Sequence, residues 1–412
     1  MSSEESRQWN IQPSASAVAT INPIRRIVDK IVPPKNHPLS HINLALGDPS
    51  VYGNLTPDAR VTQAVIDVVT SNKFNGYAPA HGALDVRQAI AEFITTEATK
   101  FTADDVFVTS GASHAILIAM QLLLNPGDKI LTPKPGFSLY ETIAGHLGAT
   151  AVLYPLLPSK SWELDLEATE QLVDDKVKAI LINNPGNPTG SNYSEEHIKD
   201  IVAFARKHKL PIISDEIYAN MVFFGSKFTP VSDVAGEVPV FTIGGLAKRY
   251  LIPGWRLGWL ALTDRANLLT AARPHIASLT QVIVGASTVV QNAVPAILRN
   301  LDKSYYDSLN AILEEQAAAA IAACEGIEGL TTVRPQGAMY VMVHIDTTRF
   351  KDIANDQEFA SKLLTEGNIM VLPGACFNAP NFIRLVYCAP AAILKDFGTR
   401  LAAFCEQHRK AE

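Results

Sequence analysis

Seven short apolar runs, Val106 to Thr109, Ile130 to Thr132, Ala151 to Tyr154, Ala179 to Asn183, Ile212 to Ser214, Val238 to Ile243 and Leu257 to Leu262, alternate with stretches of helical spacing. This alternation leaves little choice of architecture, because strands buried on both faces pair in parallel and the helices between them cover both sides. It predicts an α/β unit over residues 71–303, a mostly parallel seven-stranded sheet with helices on both faces. Beyond residue 304 the pattern changes. Tyr305 to Ala323 carries Leu309, Ile312, Leu313, Ala317, Ala320 and Ile321 at helical spacing,. It leads into short strands at Tyr340–Ile345, Ile369–Leu372 and Ile383–Tyr387, with helices at Asp356–Glu366 and Ala391–His408. A smaller α+β unit is expected there. Residues 41–70 are grouped with 304–412, because Asn43 to Leu46 is strand-like and ends in Gly47-Asp48-Pro49. Residues 1–40 are polar and proline-punctuated and read as an N-terminal arm, of the kind that drapes over a partner in a dimer.

A chain of 412 residues exceeds the size at which single cores stop growing, so two units around one site are expected,. A net charge of −6 and the lack of a basic run argue against a nucleic-acid partner,. Cys324, Cys376, Cys388 and Cys405 have no metal-ligand spacing, so reduced thiols, no metal site and a cytoplasmic setting are expected. Met1 to Asn10, with Glu4 and Glu5, resembles no secretory or transit signal. No apolar stretch is long enough to span a membrane.

The chemistry concentrates at the ends of the apolar runs. Lys248 follows the run ending at Ile243 and the pair Gly244-Gly245, which places an amine where open α/β sheets bind ligands. Apolar neighbours disfavour its charged form and make it a nucleophile towards an aldehyde, and Arg256, eight residues on, offers a fork of donors to a phosphate. Ala112, Ser113 and His114 open a helix after a strand, either as an anion site or with Ser113 as a plain cap. Phe137 stands on the turn after Pro135-Gly136, either stacked on a planar ring or packed in the protein. Asn187, in Asn184-Pro185-Gly186-Asn187-Pro188-Thr189-Gly190, is a donor to a phenolate oxygen or part of an Asx turn, and its bond to Pro188 is a candidate for cis. Asp215 ends a buried strand, as partner to a protonated ring nitrogen or as a helix cap, with Tyr218 three residues on. Tyr77, in Asn75-Gly76-Tyr77, is a further phosphate donor or a surface turn residue. An amine, a ring-nitrogen partner, phenolate donors, a stacking ring and phosphate ligands together match pyridoxal 5'-phosphate.

This ordered set, with Asn381-Phe382-Ile383-Arg384, resembles the fold type I pyridoxal-phosphate aminotransferases over residues 20 to 410. Asn22-Pro23-Ile24-Arg25, Gly245-Leu246-Ala247-Lys248-Arg249, Pro253 to Trp259 and Gln336-Gly337-Ala338-Met339-Tyr340 are most similar to the tyrosine aminotransferases. The resemblance implies that Lys248 carries the cofactor and moves a proton, that Asp215 serves the pyridine nitrogen, and that Asn187 and Tyr218 serve the phenolate oxygen. It implies Phe137 as the stacking ring. It implies Ala112, Ser113, His114, Arg256 and Tyr77 of a second subunit as the phosphate cradle. Arg384 is similar to the arginine that grips the substrate α-carboxylate, helped by Asn187 and the Gly47 backbone. A homodimer with shared sites follows, acting on an amino acid and a 2-oxo acid. Two departures narrow the subgroup. Gly245 stands where aspartate-type relatives carry a serine, and Gln281 to Ser287 holds no second arginine, against a committed dicarboxylate enzyme. A tyrosine, aromatic or methionine substrate with 2-oxoglutarate or pyruvate is expected. The competing readings are a lyase of the same fold, an alanine-type aminotransferase, an idle cofactor-binding regulator and a dinucleotide-binding protein.

Overall fold

The computed structural model describes residues 9–29 and 31–410. The start of the expected arm, with Glu4 and Glu5, lies outside the described residues, as do Lys30, Ala411 and Glu412. The rest of the arm is more ordered than its composition suggests. Short helices form at Ala15–Ala19 and Pro23–Val28, the second capped by the Asn22 side chain with Pro23 in its first turn,. They lie against this same chain: the Ser16 hydroxyl donates to the His146 carbonyl at 2.8 Å and the Thr142 hydroxyl to that of Ile21 at 3.0 Å.

Strand β1 (Ile42–Asn43) is shorter than the strand-like sequence there. The large sheet follows: β2 (Val106–Thr109), β3 (Lys129–Lys134), β4 (Thr150–Leu157), β5 (Glu163–Leu164), β6 (Val177–Asn183), β7 (Ile212–Asp215), β8 (Val240–Gly245) and β9 (Gly258–Thr263). Their order is β2-β9-β8-β7-β6-β3-β4-β5, with β3, β4, β6, β7 and β8 pairing in parallel and β9 antiparallel to both neighbours. All seven expected strands form. The eighth, β5, is a two-residue antiparallel addition to the β4 edge, too short to show a period. Ile180 and Ile182 pack into one core, Ala179 and Leu181 into another, so the sheet is buried on both faces and its strands read as continuous apolar runs,. The order in which successive strands are added reverses between the parallel neighbours β3 and β6, and the carboxyl ends of β2, β3, β6, β7 and β8 share one side, where such sheets bind ligands,.

The smaller antiparallel sheet, ordered β10-β11-β14-β13, holds β10 (Leu330–Val333), β11 (Tyr340–Ile345), β13 (Leu372–Pro373) and β14 (Phe382–Val386), while β12 (Ile369–Met370) pairs in parallel with β1. Helices Lys303–Ala322, Asp356–Gly367 and Ala391–His408 pack around it. All four cysteines are buried and free, and all fall in this part of the chain. The helix Ala59–Ser71, grouped by sequence with the smaller unit, instead sets Val61, Ala64 and Val68 into one core with Val86, Ile90 and Trp259, because its apolar stripe faces the large-unit helices.

Candidate active site

A cleft of about 430 Å³ opens over the carboxyl ends of the large sheet. Gly47, Ala112, Ser113, Phe137, Asn187, Asp215, Tyr218, Lys248, Arg256 and Arg384 all line it. Its size falls in the range of small-molecule sites.

Asp215 is the last residue of β7, level with Asn183 on β6 and Ile243 on β8. Its carboxylate is 3% exposed, accepts the Tyr140 hydroxyl at 2.8 Å and the Ile217 amide at 3.3 Å, and is pushed up to about 6 by burial,. Among the described residues it has no ion-pair partner. Asn183 donates its side-chain amide to the Asp215 carbonyl at 3.0 Å and accepts the Asn187 amide at 2.7 Å, which ties the Asn187 loop to the strand ends. The peptide bonds before Pro185 and Pro188 are cis.

Lys248 lies just past β8, half-buried, with Nζ donating to the Gly47 carbonyl at 2.7 Å and 5.8 Å from the Tyr218 ring centroid. The helix Ala112–Leu123 begins at the carboxyl end of β2. Its cap residue is Gly111, at φ 79°, rather than Ser113, and among the described residues no side chain caps this end. Its first N–H groups therefore face the cleft without helical acceptors. Two glycines let it approach: an added Cβ at Gly258 would come 2.5 Å from the Ala112 nitrogen, and one at Gly111 would come 2.8 Å from Arg256 Nη2. Arg256, in the left-handed region at φ 54°, also donates to the Pro253 carbonyl at 3.1 Å. Phe137 meets Tyr140 edge-on at 5.8 Å.

Two expected residues stand apart. His114 is not on the cleft wall; its Nδ1 accepts the Ser110 amide at 3.3 Å, and burial pulls its pKa down, leaving a neutral ring. Tyr77 is 94% exposed and lines no part of the cleft.

The opposite wall comes from the smaller unit and the N-terminal segment. Arg384 on β14 is 3% exposed; Nη1 donates to Asn187 Oδ1 at 3.0 Å and Nη2 to the Ala45 carbonyl at 2.5 Å. Its Nε has no partner, and among the described residues it has no ion pair. Burial lowers its pKa, but a guanidinium stays charged,. Asn22, Ile24, Arg25, Leu46, Met370 and Leu372 complete the rim.

Sequence reading gave no role to Tyr140, Asn183 or Tyr340. Tyr140 sits three residues after Phe137 at the start of a helix, and Asn183 ends a strand one residue before the Asn-Pro loop, so both carried a positional signal. Tyr340 closes the Gln336 to Tyr340 motif, but its contacts carried no signal, since its partners Tyr218 and Arg384 are distant in sequence.

The arrangement can hold an anion at the helix end, a cation or protonated nitrogen at Asp215, and a carboxylate at Arg384, with an amine between them. Relatives agree in kind. The family described as aminotransferase class I and II matches residues 40–396. Tyrosine aminotransferase of Homo sapiens is 43% identical, over 97% of this chain and 88% of the relative, and that of Dictyostelium discoideum is 43% identical over 98% of each. The crystal structure of tyrosine aminotransferase from Leishmania infantum superposes with a TM-score of 0.93 at 38% identity, covering 98% of this chain and all of that one. Alanine aminotransferase from Pyrococcus furiosus superposes at 0.89 with 28% identity, over 96% and 100%. With the cleft and its residues at the strand ends that this fold uses, the chain belongs to the class I and II aminotransferases.

Proposed function

We propose that this aminotransferase uses pyridoxal 5'-phosphate to exchange the amino group of an aromatic amino acid or methionine with a 2-oxo acid such as 2-oxoglutarate or pyruvate. One observation carries the reading: a single cleft gathers an amine, an unpaired buried carboxylate, an uncapped helix end and an unpaired buried guanidinium. These residues fit the cofactor. Lys248 suits its aldehyde, Asp215 its ring nitrogen, Asn187 and Tyr218 its ring oxygen, Phe137 its ring face, and Ala112, Ser113 and Arg256 its phosphate.

When bound, the cofactor supplies an electron sink for the pair left at the substrate α-carbon. Arg384 holds the α-carboxylate with its fork and so fixes which bond of the α-carbon faces Lys248. Lys248 Nζ takes the proton from the α-carbon and later returns one, acting as base and then acid. Asp215, kept from water by burial, favours a proton on the facing ring nitrogen, and Tyr140 holds its carboxylate in place. Tyr218 and Asn187 donate to the ring oxygen and lower its basicity. Ile24, Leu46, Met370 and Leu372 give the substrate side chain an apolar rim. Replacing Lys248 with alanine should cut turnover of tyrosine plus 2-oxoglutarate by at least about 10⁴-fold. Ordinary turnover in that variant would end the assignment, and a rate panel with alanine, aspartate and methionine sorts the substrate.

The site is read as shared within a homodimer in a reducing, cytoplasmic setting. Tyr77, Val282 at 74% and Val284 at 59% exposure are apolar or aromatic side chains that a second copy would cover, and an added Cβ at Gly285 would lie 2.7 Å from the Ala80 carbonyl, which brings that turn beside the segment that follows Tyr77,. Mixing Tyr77→Phe and Lys248→Ala chains tests sharing: a hybrid dimer regains one intact site, whereas unshared sites give only the sum of the parents.

A further inference from the structure

Tyr340 is 1% exposed and stands at the seam between the two walls. Its place follows from strand pairing: Met342 on β11 is opposite Arg384 on β14, so Tyr340, two residues earlier, shares that face and lies diagonally from Arg384,. The Arg384 guanidinium carbon is 4.7 Å from the Tyr340 ring centroid and 4.7 Å from that of Phe377. At its other end the Tyr340 hydroxyl meets the Tyr218 hydroxyl at 2.6 Å. Glycines surround it, since an added Cβ at Gly47 would come 2.7 Å from this hydroxyl and one at Gly190 would come 2.2 Å from the Tyr340 carbonyl. The residue is thus fixed from four sides: by the Gly47 loop, by the loop that carries Asn187, by Tyr218 and by Arg384.

We propose that Tyr340 is a positioning residue with two tasks: its hydroxyl donates to Tyr218 and aims that phenol at the cofactor's ring oxygen, while its ring holds the Arg384 guanidinium for the substrate carboxylate. The first task rests on the reading above that Tyr218 serves that oxygen. A tyrosine has one proton to donate. If Tyr218 spends its proton on the ring oxygen, the 2.6 Å contact must be supplied by the proton of Tyr340. A hydroxyl that accepts a hydrogen bond becomes a stronger donor, so Tyr340 reinforces Tyr218. Without it, negative charge on the ring oxygen is less stabilised, and the loaded protein keeps its proton to higher pH. The ring's task is separate, because an aromatic face attracts a guanidinium whether or not it bears a hydroxyl.

The test is a pH titration of the visible absorbance of the cofactor-loaded protein, with KM for the amino acid as second readout. Tyr218→Phe should raise the absorbance midpoint by about one pH unit and Tyr340→Phe by about half a unit, from the loss of one and of a reinforcing hydrogen bond. In a Tyr218→Phe background, Tyr340→Phe should add nothing. Tyr340→Leu, compared with Tyr340→Phe, should raise KM about fivefold through loss of the ring beneath the guanidinium. An unmoved midpoint in Tyr218→Phe overturns the role given to Tyr218. A midpoint that moves in Tyr218→Phe and not in Tyr340→Phe overturns the hydroxyl task, as does an equal Tyr340→Phe shift in both backgrounds. Equal KM in Tyr340→Leu and Tyr340→Phe overturns the ring task.

Discussion

The two walls of the cleft are built on different plans. The large-sheet wall takes its groups from consecutive parallel strand ends, so Asn183, Asp215 and the turn to Lys248 sit at one height by register alone. The facing wall is assembled across the chain: Arg384 bonds Ala45 and Asn187, which lie 339 and 197 residues away in sequence. Burial acts on both walls in opposite senses. It pushes the Asp215 acid up to about 6, into the range where it titrates, while Arg384 only loses some of a very large reserve of basicity. The first wall can therefore change charge near neutrality. The second holds a fixed cation whose position is the variable.

Asp215→Asn is the strongest challenge to this contrast, with a loss of kcat on the order of 10³-fold expected, since an amide does not hold a proton on the facing nitrogen. The same change should stabilise the cofactor-free chain above pH 7. The folded pKa of Asp215 is raised to about 6, so its favourable contribution is complete below the unfolded value and is lost as pH rises through 6,. From an unfolded value of about 3.9, that loss is about 3 kcal/mol. Glu216, raised to about 7 by burial, acts in the same direction. Melting temperatures at pH 4.5 and pH 8, without cofactor, should show the variant gaining much more on the parent at the higher pH; a constant difference would remove the charge argument for this wall.

On the second wall Arg384→Lys keeps the charge and loses the fork. KM for the amino acid should rise about 100-fold, with kcat less affected. A larger fall in kcat than rise in KM would mean that charge placement matters in the reaction step as well as in binding. Gly258→Ala should give a smaller effect. The added methyl must push the helix end at Ala112 away, raising the cofactor dissociation constant about tenfold by spectroscopic titration,. Unchanged binding would show that the helix end is not part of the cradle.

The contrast also explains what the sequence made legible. Strand ends on the first wall are local signals: a buried apolar run followed by a polar residue fixes Asp215, and glycine pairs mark the turn to Lys248. The arginine of the second wall was legible from its short motif, whereas its surroundings were not. Tyr340 acquires meaning only through β11–β14 register, and Ala45 contributes a carbonyl, which any residue type supplies. Low apolar content hid the order of the N-terminal segment, because Ile24 and Ile27 pack singly against Phe377 and Leu372 instead of forming a periodic stripe. The position of the His114 ring was hidden for a related reason. Helix position alone does not say whether a first-turn ring turns outward or back to its own amides.

The four buried thiols offer a use that has no bearing on catalysis. All lie beyond residue 320, and burial pushes each up to about 12. At neutral pH almost none is thiolate while the unit stays closed, so alkylation must pass through its opening. The labelling rate thus clocks exposure of the smaller unit, with no contribution from the cysteine-free large sheet.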